Sequence, residues 1–347
     1  MAEIPRILIV GCGGIGGVMA THLCAAAAAS VTVVSTNQAI VAAVKEHGFR
    51  LRGLDGPLQT AGEILDEVPK GRFDFIFLAT RPPQVEEAAR QSLHALAENG
   101  VMVVLQNGLC EARVAAIVGE KRTVGGIVSF GASMGQPGIF ELTARGGITL
   151  GTMHEHDLPQ LAVLQELLAP LGHIQITNNL LGARYSKLAL NCAVSGMGTL
   201  AGVALGKLLG RVTARNLALE VMREVVQISR AEGVSIEPIG GTFDLNWLAD
   251  PAAPRHGLQH LARHAMLLAV GIKYRRLRSS MLRAIERGRS PAVEFLNGEV
   301  VARGETHGIP TPYNRAIRDA VLRIARKEWR SDLAQIETVQ AAATKTA

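Results

Sequence analysis

The sequence predicts an α/β protein in which an N-terminal parallel sheet with helical crossovers is followed by an all-helical C-terminal domain. Three observations carry this expectation. The first half alternates short apolar, strand-like runs with helix-like segments, the pattern of βαβ units. A glycine-rich turn between Gly11 and Gly16 joins the first strand to the first helix. From Asp157 onward the apolar period becomes helical and stays so. At 347 residues the chain is too long for one ordinary core and suits two domains. The expected division is 1–177, 178–330 and a frayed Ala/Thr/Gln-rich tail over 331–347.

The strand candidates of the first half are Arg6–Val10, Val31–Val34, Phe73–Ala79, Val101–Leu105 and Val124–Phe130. Between them Gly14–Ala28, Gln84–Leu96 and Glu111–Val118 read as helices. Ile139–Thr143 and Gly147–Gly151, separated by Ala-Arg-Gly, read as a hairpin that closes the domain. The later helices are expected at Asp157–Leu171, Ala183–Val194, Thr213–Glu232, Leu258–Tyr274, Pro291–His307 and Arg315–Glu328. Gly308 is a helix stop, and Pro310 and Pro312 follow it. Pro238–Gly257 has no clear period and reads as a long loop, a type that is often functional.

Composition excludes several classes. A hydrophobic content of 48% against 19% charge is that of a globular chain rather than a disordered one. The net charge of +6 suits an anionic ligand, but the basic residues are scattered until Lys273–Arg289 and no nucleic-acid motif accompanies them. No nucleic-acid partner is therefore expected. Cys12, Cys24, Cys110 and Cys192 are far apart, so neither a metal pair nor a disulfide framework is expected. Met1 leads almost directly into a strand, which leaves no room for a signal peptide and points to the cytoplasm. Leu188–Gly206 is uncharged and about the length of a membrane span, but Asn191, Ser195 and four glycines lie in it. It reads as a buried helix followed by a glycine-rich bend, and no membrane contact is expected.

The run from Arg6 to Gly16 is a buried strand entering G-x-G-x-x-G at Gly11, Gly13 and Gly16, the fingerprint of a Rossmann-type dinucleotide site. Gly11 permits the tight turn, Gly13 lets backbone amides approach a pyrophosphate, and Gly16 lets the helix pack against the strand. The helix N-terminus adds partial positive charge there. Cys12, Gly14 and Ile15 complete the cofactor-binding turn. At the end of the second strand an Asp or Glu would grip the ribose of NAD, but Ser35, Thr36 and Asn37 stand there and no acid precedes Glu46. Small hydroxyls without a carboxylate favour NADPH over NADH. Thr80 and Arg81 follow the third strand, and Asn107-Gly108 follows the fourth, where ligands lie in open α/β sheets. Asn-Gly is also a favoured turn dipeptide, so Asn107 has an ordinary turn as its alternative.

Lys187, Asn191 and Ser195 recur every four residues in an otherwise apolar segment, which places them near one stripe of a helix. A lysine on a buried face is costly without a partner or a task. Reduction of a ketone needs a proton for the developing alkoxide, and a positioned ammonium can stabilise and protonate it. The alternative is a lysine snorkelling from a helix start.

Taken together these pieces resemble the ketopantoate reductase (2-dehydropantoate 2-reductase) family over nearly the whole chain. The matching pieces are Gly11-Cys12-Gly13-Gly14-Ile15-Gly16, Gln106-Asn107-Gly108 and Lys187 to Cys192. Ser279-Ser280-Met281-Leu282, Glu294 to Gly298 and His307 to Pro312 continue the match in order. The resemblance implies NADPH-linked reduction of a 2-oxo acid, with Lys187 as general acid. It implies further that Asn107 contacts cofactor and substrate, that Asn191 contacts substrate, and that Ser280 helps hold a carboxylate. The chain departs from the family pattern at five places. Thr36 replaces an arginine for the 2′-phosphate, Arg81 a lysine, and Ser195 and Leu205 two asparagines. Ala292 stands where a glutamate is expected twelve residues after Ser280. Such losses point to a less polar 2-oxo acid or ketone than ketopantoate.

Two other function classes remain open at this level. A nucleotide-binding or regulatory protein with weak or lost catalysis is supported by Ala292 and Thr36, and nucleic-acid binding rests on basicity alone. His256, His260 and His264 repeat along one helix face, but Arg255 and Arg263 oppose a cation, so a solvated face is expected and no metal. The segment Phe243–Arg278 has two readings, a cover over the active site or a homodimer contact.

Overall fold

The computed structural model describes residues 4–54, 56–154, 156, 158–238 and 243–346. The expected start of a helix at Asp157 and part of the expected loop after Pro238 lie outside these. The chain divides into two units, Met1–Gln106 with Cys110–Leu180, and Asn107–Leu109 with Leu181–Ala347.

The first unit begins β1 (Arg6–Val10), α1 (Gly14–Ala26), β2 (Ser30–Val34), α2 (Gln38–His47), β3 (Phe49–Gly53), β4 (Leu58–Thr60), β5 (Glu63–Leu65) and β6 (Phe73–Leu78). It continues α3 (Val85–Ser92), β7 (Leu96–Val104), α4 (Glu111–Val118), β8 (Thr123–Val128), β9 (Gly131–Gln136), β10 (Ile139–Ala144), β11 (Gly147–Gly151), α5 (Gln160–Leu168) and β12 (His173–Ile176). Eight strands form one sheet in the order β12-β11-β8-β7-β6-β1-β2-β5. All its pairs are parallel except β8 with β11. The central strands are apolar on both faces because helices cover both; Ile7, Leu8, Ile9, Ile76 and Phe77 are fully buried.

The expected hairpin is corrected. β10 and β11 both exist but belong to different sheets, since β10 joins β4-β3-β10-β9 and β11 pairs with β8 and β12. Gly146 carries the chain from one sheet to the other. A Cβ there would lie 2.5 Å from the backbone of Ser129 and Phe130, so only glycine passes. Of the small sheet only β10 reads as a strand in the sequence; β4 has three residues, β9 is the glycine-containing Gly131–Gln136, and the alternation of β3 spans only Phe49 to Arg52. Its place is fixed by Phe140, which fills the space left by Gly17 on α1 and lies 6.3 Å from the Phe49 ring.

The second unit comprises α6 (Leu180–Asn191), α7 (Met197–Ala201), α8 (Leu205–Leu209), α9 (Val212–Ala231), α10 (Leu245–Leu248), α11 (Gly257–Lys273), α12 (Ser280–Glu286), α13 (Asn297–His307), α14 (Pro312–Ala325) and α15 (Gln335–Thr344). Its core is built from Leu188, Cys192, Met197, Leu217, Val221, Val225, Val300, Ile317 and Val321. Gly308 ends α13 in the left-handed region, and Pro312 occupies the first turn of α14.

Two further expectations are corrected here. The tail does not fray, because Ile336, Val339 and Ala343 bury one face of α15 and the Asp332 amide donates to the Leu200 carbonyl. Within Pro238–Gly257, Leu245–Leu248 form a short helix capped by Asp244. Among the described residues no helix is long and apolar enough to cross a membrane.

Candidate functional site

In the first unit the turn after β1 is held by contacts that only glycine allows. Gly11 has φ +107°, its amide donates to the Val34 carbonyl at 2.9 Å, and a Cβ there would meet Ala79 at 2.8 Å. A Cβ on Gly16 would fall 1.9 Å from the Gly11 carbonyl oxygen, so α1 packs directly on the turn. Gly14 is pressed on the backbone of Ser133 in the same way. Gly13 is different, since a Cβ there would meet nothing within 4 Å. The turn is closed behind and open in front, and no side chain caps the N-terminus of α1. This arrangement fits a diphosphate on backbone amides. Ile15 lies half-buried in the first turn of α1. Cys12 is buried and its thiol is pushed up to about 12 by desolvation, so it acts as a neutral packing group.

At the end of β2, Ser35 is buried and Thr36 exposed, while the Asn37 side chain is committed to capping α2 through the Ala39 and Ile40 amides. A carboxylate absent from the linear reading also stands at this end. β5 pairs parallel with β2, Val34 opposite Leu65, and the Ser35 amide donates to the Leu65 carbonyl. Asp66 follows immediately and accepts from Gln38 Nε2 at 3.4 Å. Strand pairing, not sequence proximity, brings it there. Gln106 joins the ends of β6 and β7, with Nε2 donating to the Leu78 and Thr80 carbonyls at 2.9 and 3.0 Å. It thereby fixes Thr80, while Arg81 is exposed.

In the second unit Asn107 lies exposed at the start of a three-residue segment whose Leu109 is buried in the helical core. Gly108, at φ +97°, sits so near the Phe295 carbonyl that a Cβ would come within 2.4 Å. Asn107-Gly108 is thus a tight turn fastened to the helical unit.

Lys187, Asn191 and Ser195 are half-buried on one continuous helical run, and that run is not regular. Cys192–Gly196 form a π turn between α6 and α7. Positions four apart drift about 40° around an α-helix, and the wider π turn reverses that drift. Ser195 is thereby brought back toward the direction of Lys187. Asn191 Nδ2 is buried and has no hydrogen-bond partner. A buried amide donor left unpaired costs about 1–3 kcal/mol, a cost that an accepting ligand oxygen would remove. The Ser195 carbonyl accepts from Thr199 Oγ1 at 2.8 Å and from Ser279 Oγ at 2.9 Å.

The π turn is held from below by polar groups that the sequence did not reveal. Asn297 Nδ2 donates to the Cys192 carbonyl at 3.4 Å and to Asn314 Oδ1 at 2.9 Å. Asn314 Nδ2 donates to Glu224 Oε2 at 2.7 Å, and Glu224 also accepts the Tyr313 and Asn314 amides at 2.8 Å. Burial pushes the Glu224 carboxyl up to about 7 against these donors. Farther along α6, Tyr185 donates to Glu232 at 2.5 Å, and Arg303 donates to both oxygens of Glu232.

Comparison with known proteins follows the same division. The sequence model described as "Ketopantoate reductase PanE/ApbA" matches residues 7–155, and the corresponding C-terminal model matches residues 179–325. The chain belongs to the ketopantoate reductase family. A 2-dehydropantoate 2-reductase of Pyrococcus horikoshii is 24% identical over 311 residues, covering 89% of this chain and 94% of that protein. The crystal structure of a PanE/ApbA family ketopantoate reductase from Ralstonia eutropha superposes with a TM-score of 0.77 at 22% identity, covering 93% of this chain and 99% of that one. A D-mandelate dehydrogenase solved with NADH and anilino(oxo)acetate gives 0.80 at 19% identity, covering 93% and 99%. The family is one of oxidoreductases, and these two neighbours share the fold.

The family departures can now be placed. Ala292 is half-buried at the start of a 3-10 turn before α13. Glu294, two residues on, is exposed and lies against Gly298 in the first turn of α13. Leu205 is buried in the apolar core. Ser280 is exposed at the first residue of α12, whereas its neighbour Ser279 is buried, caps that helix and bonds to Thr199. The expected solvated histidine face is corrected in part. His264 is buried, accepts from Arg215 Nε at 3.1 Å and lies 3.0 Å from His260. Among the described residues no group of three or more His, Cys, Asp or Glu is placed to hold a metal.

Proposed function

We propose that the protein is a cytoplasmic NADPH-dependent reductase that converts a small 2-oxo acid to the 2-hydroxy acid. The observation that carries this reading is the unpaired, buried Asn191 amide one helical turn from Lys187, at the mouth of a π turn. Single π turns inside α-helices occur frequently at functional sites.

When bound, the reduced nicotinamide supplies the hydride for the keto carbon. The open face at Gly13 and the amides at the start of α1 would hold its diphosphate, with Thr36, Thr80 and Arg81 as further contacts. Lys187 donates a proton to the keto oxygen as negative charge develops there. Asn191 Nδ2 and Asn107 orient the substrate, Ser195 lines the same helix face, and Ser280 helps hold the carboxylate. Ala292 offers no hydrogen bond, which favours an acid lacking the ketopantoate hydroxyl.

Steady-state oxidation of NADPH against ketopantoate and 2-oxo acids without that hydroxyl tests this reading. Turnover of the latter supports it. NADPH binding without turnover of any 2-oxo acid would instead make this a nucleotide-binding protein without the reaction.

A further inference from the structure

Between α9 and α11 runs a chain of hydrogen bonds whose direction is fixed at one end. Arg215 Nε donates to His264 Nδ1 at 3.1 Å. A guanidinium nitrogen only donates, so His264 carries its own proton on Nε2. That nitrogen lies 3.0 Å from His260 Nε2, which therefore accepts. His260 is left with its proton on Nδ1, and this Nδ1 is buried with no hydrogen-bond partner among the described residues. Desolvation first, then the charges of Arg223 and Arg263, hold the His260 imidazole below its ordinary range. His264 is likewise lowered, chiefly by desolvation, so both rings are neutral above pH about 7.

Two more donors end the same way. Arg223 on α9 and Arg263 on α11 are each 3% exposed. Arg263 commits Nε to the Trp247 carbonyl at 2.9 Å, while Arg223 reaches Glu220 and the Ala253 carbonyl. Arg263 Nη1 and Arg223 Nε are nevertheless buried and unpaired. His260 and Arg263 stand one turn apart on α11, and Arg223 faces them from α9 near enough for its charge to act on the His260 ring. The surroundings are short of acid. Glu220 is shared by Arg223 and Arg255, Asp250 is bonded to Arg230, and Glu224 is bonded to Asn314. Among the described residues no carboxylate bonds to Arg215 or Arg263.

Every unpaired atom here is a donor, and buried polar groups in folded proteins are rarely left unpaired. We propose that the seam between α9 and α11 binds a phosphate, as the free ion or as a monoester, through Arg223, Arg263 and the Nδ1–H of His260. Three donor side chains on two helices suit an ion with several accepting oxygens, and a surplus of guanidinium groups suits a charge near that of a dianion. A single carboxylate brings two oxygens and one charge, and a metal cation meets only donors and like charge. The bound ion fastens the segment from Trp247 to Arg255 and the start of α11 to α9, because the same two arginines already hold the Trp247 and Ala253 carbonyls. None of these residues takes part in the reaction proposed above, so the inference does not depend on it.

Thermal melts of the full chain in about 0.1 to about 30 mM inorganic phosphate, with ionic strength held constant by chloride, read the site. The melting temperature is expected to rise by about 2–3 °C once phosphate exceeds its dissociation constant about tenfold. Arg263→Gln abolishes that rise, and with it the broadening of the phosphate signal in phosphorus NMR that the wild type produces at room temperature. Glu220→Gln, which removes the acid bonded to Arg223 and Arg255, tightens phosphate binding about threefold or more. The same titration with glycerol 3-phosphate separates the two sources. A response to phosphate alone supports a site for the free ion, and a response to both supports one for a monoester. A wild type indifferent to phosphate, or a response that Arg263→Gln retains in full, overturns the proposal. So does a Glu220→Gln protein that binds phosphate no more tightly than the wild type.

Discussion

Asn297 donates its side-chain amide to the carbonyl of Cys192, the first residue of the π turn, across 105 positions of sequence. That carbonyl belongs to the irregular segment that follows Asn191, and Asn297 is in turn held by Asn314. Asn297→Ala leaves both partners short of a donor in a fully buried place, at a cost of about 2–3 kcal/mol. We expect a melting temperature lower by several degrees and a kcat reduced at least about tenfold, with NADPH affinity retained. Unchanged kcat in a protein that melts early would reduce the residue to a purely structural role.

Lys187→Ala removes the proposed proton donor. A drop in kcat of roughly 10²–10⁴ is expected, with the dissociation constant for NADPH, read by fluorescence titration, unchanged.

Asp66 stands at the end of the strand that pairs with β2. A carboxylate at this edge favours ribose hydroxyls over a 2′-phosphate and so opposes the NADPH preference inferred from Ser35 and Thr36. Asp66→Asn should raise the ratio of kcat/KM for NADPH over NADH by about tenfold, equivalent to ~1.4 kcal/mol. No change in the ratio would remove Asp66 from the cofactor site.

Glu224 gives a pH dependence. Its folded pKa of about 7 lies above the ordinary 4.5, so the folded state holds this proton more tightly than the unfolded one. Its contribution to stability therefore declines as pH rises from about 4.5 to about 7 and is fully lost above that, about 3 kcal/mol in all. Thermal melts of Glu224→Gln should show less of this decline than the wild type between pH 5 and 8. Parallel profiles for the two proteins would contradict it.

Ala292→Glu restores the carboxylate expected from the family pattern. It should increase kcat/KM for ketopantoate at least about tenfold relative to an acid lacking the hydroxyl.

What the sequence disclosed follows from how local each feature is. The strand-turn-helix from Arg6 to Ala26 was legible because its glycines answer to contacts within a few residues, and Gly11 and Gly16 make those contacts. The four-residue recurrence of Lys187 and Asn191 was legible because helical geometry is local. The π turn was not, since its support comes from Asn297 and Asn314 on helices far along the chain. Asp66 was hidden for the same reason, its relevance arising only when β5 pairs with β2. The tail reads as low-complexity, yet Ile336, Val339 and Ala343 fall on one helical face and find a core to cover them.

Lys187 is the proposed proton donor in reduction of a 2-oxo acid. Single-turnover oxidation of enzyme-bound NADPH by the best acid of the panel, compared between wild type and Lys187→Ala, tests it most directly. The chemical step is expected to slow by at least about a hundredfold in the variant with the bound NADPH intact. Equal rates in the two proteins would contradict it.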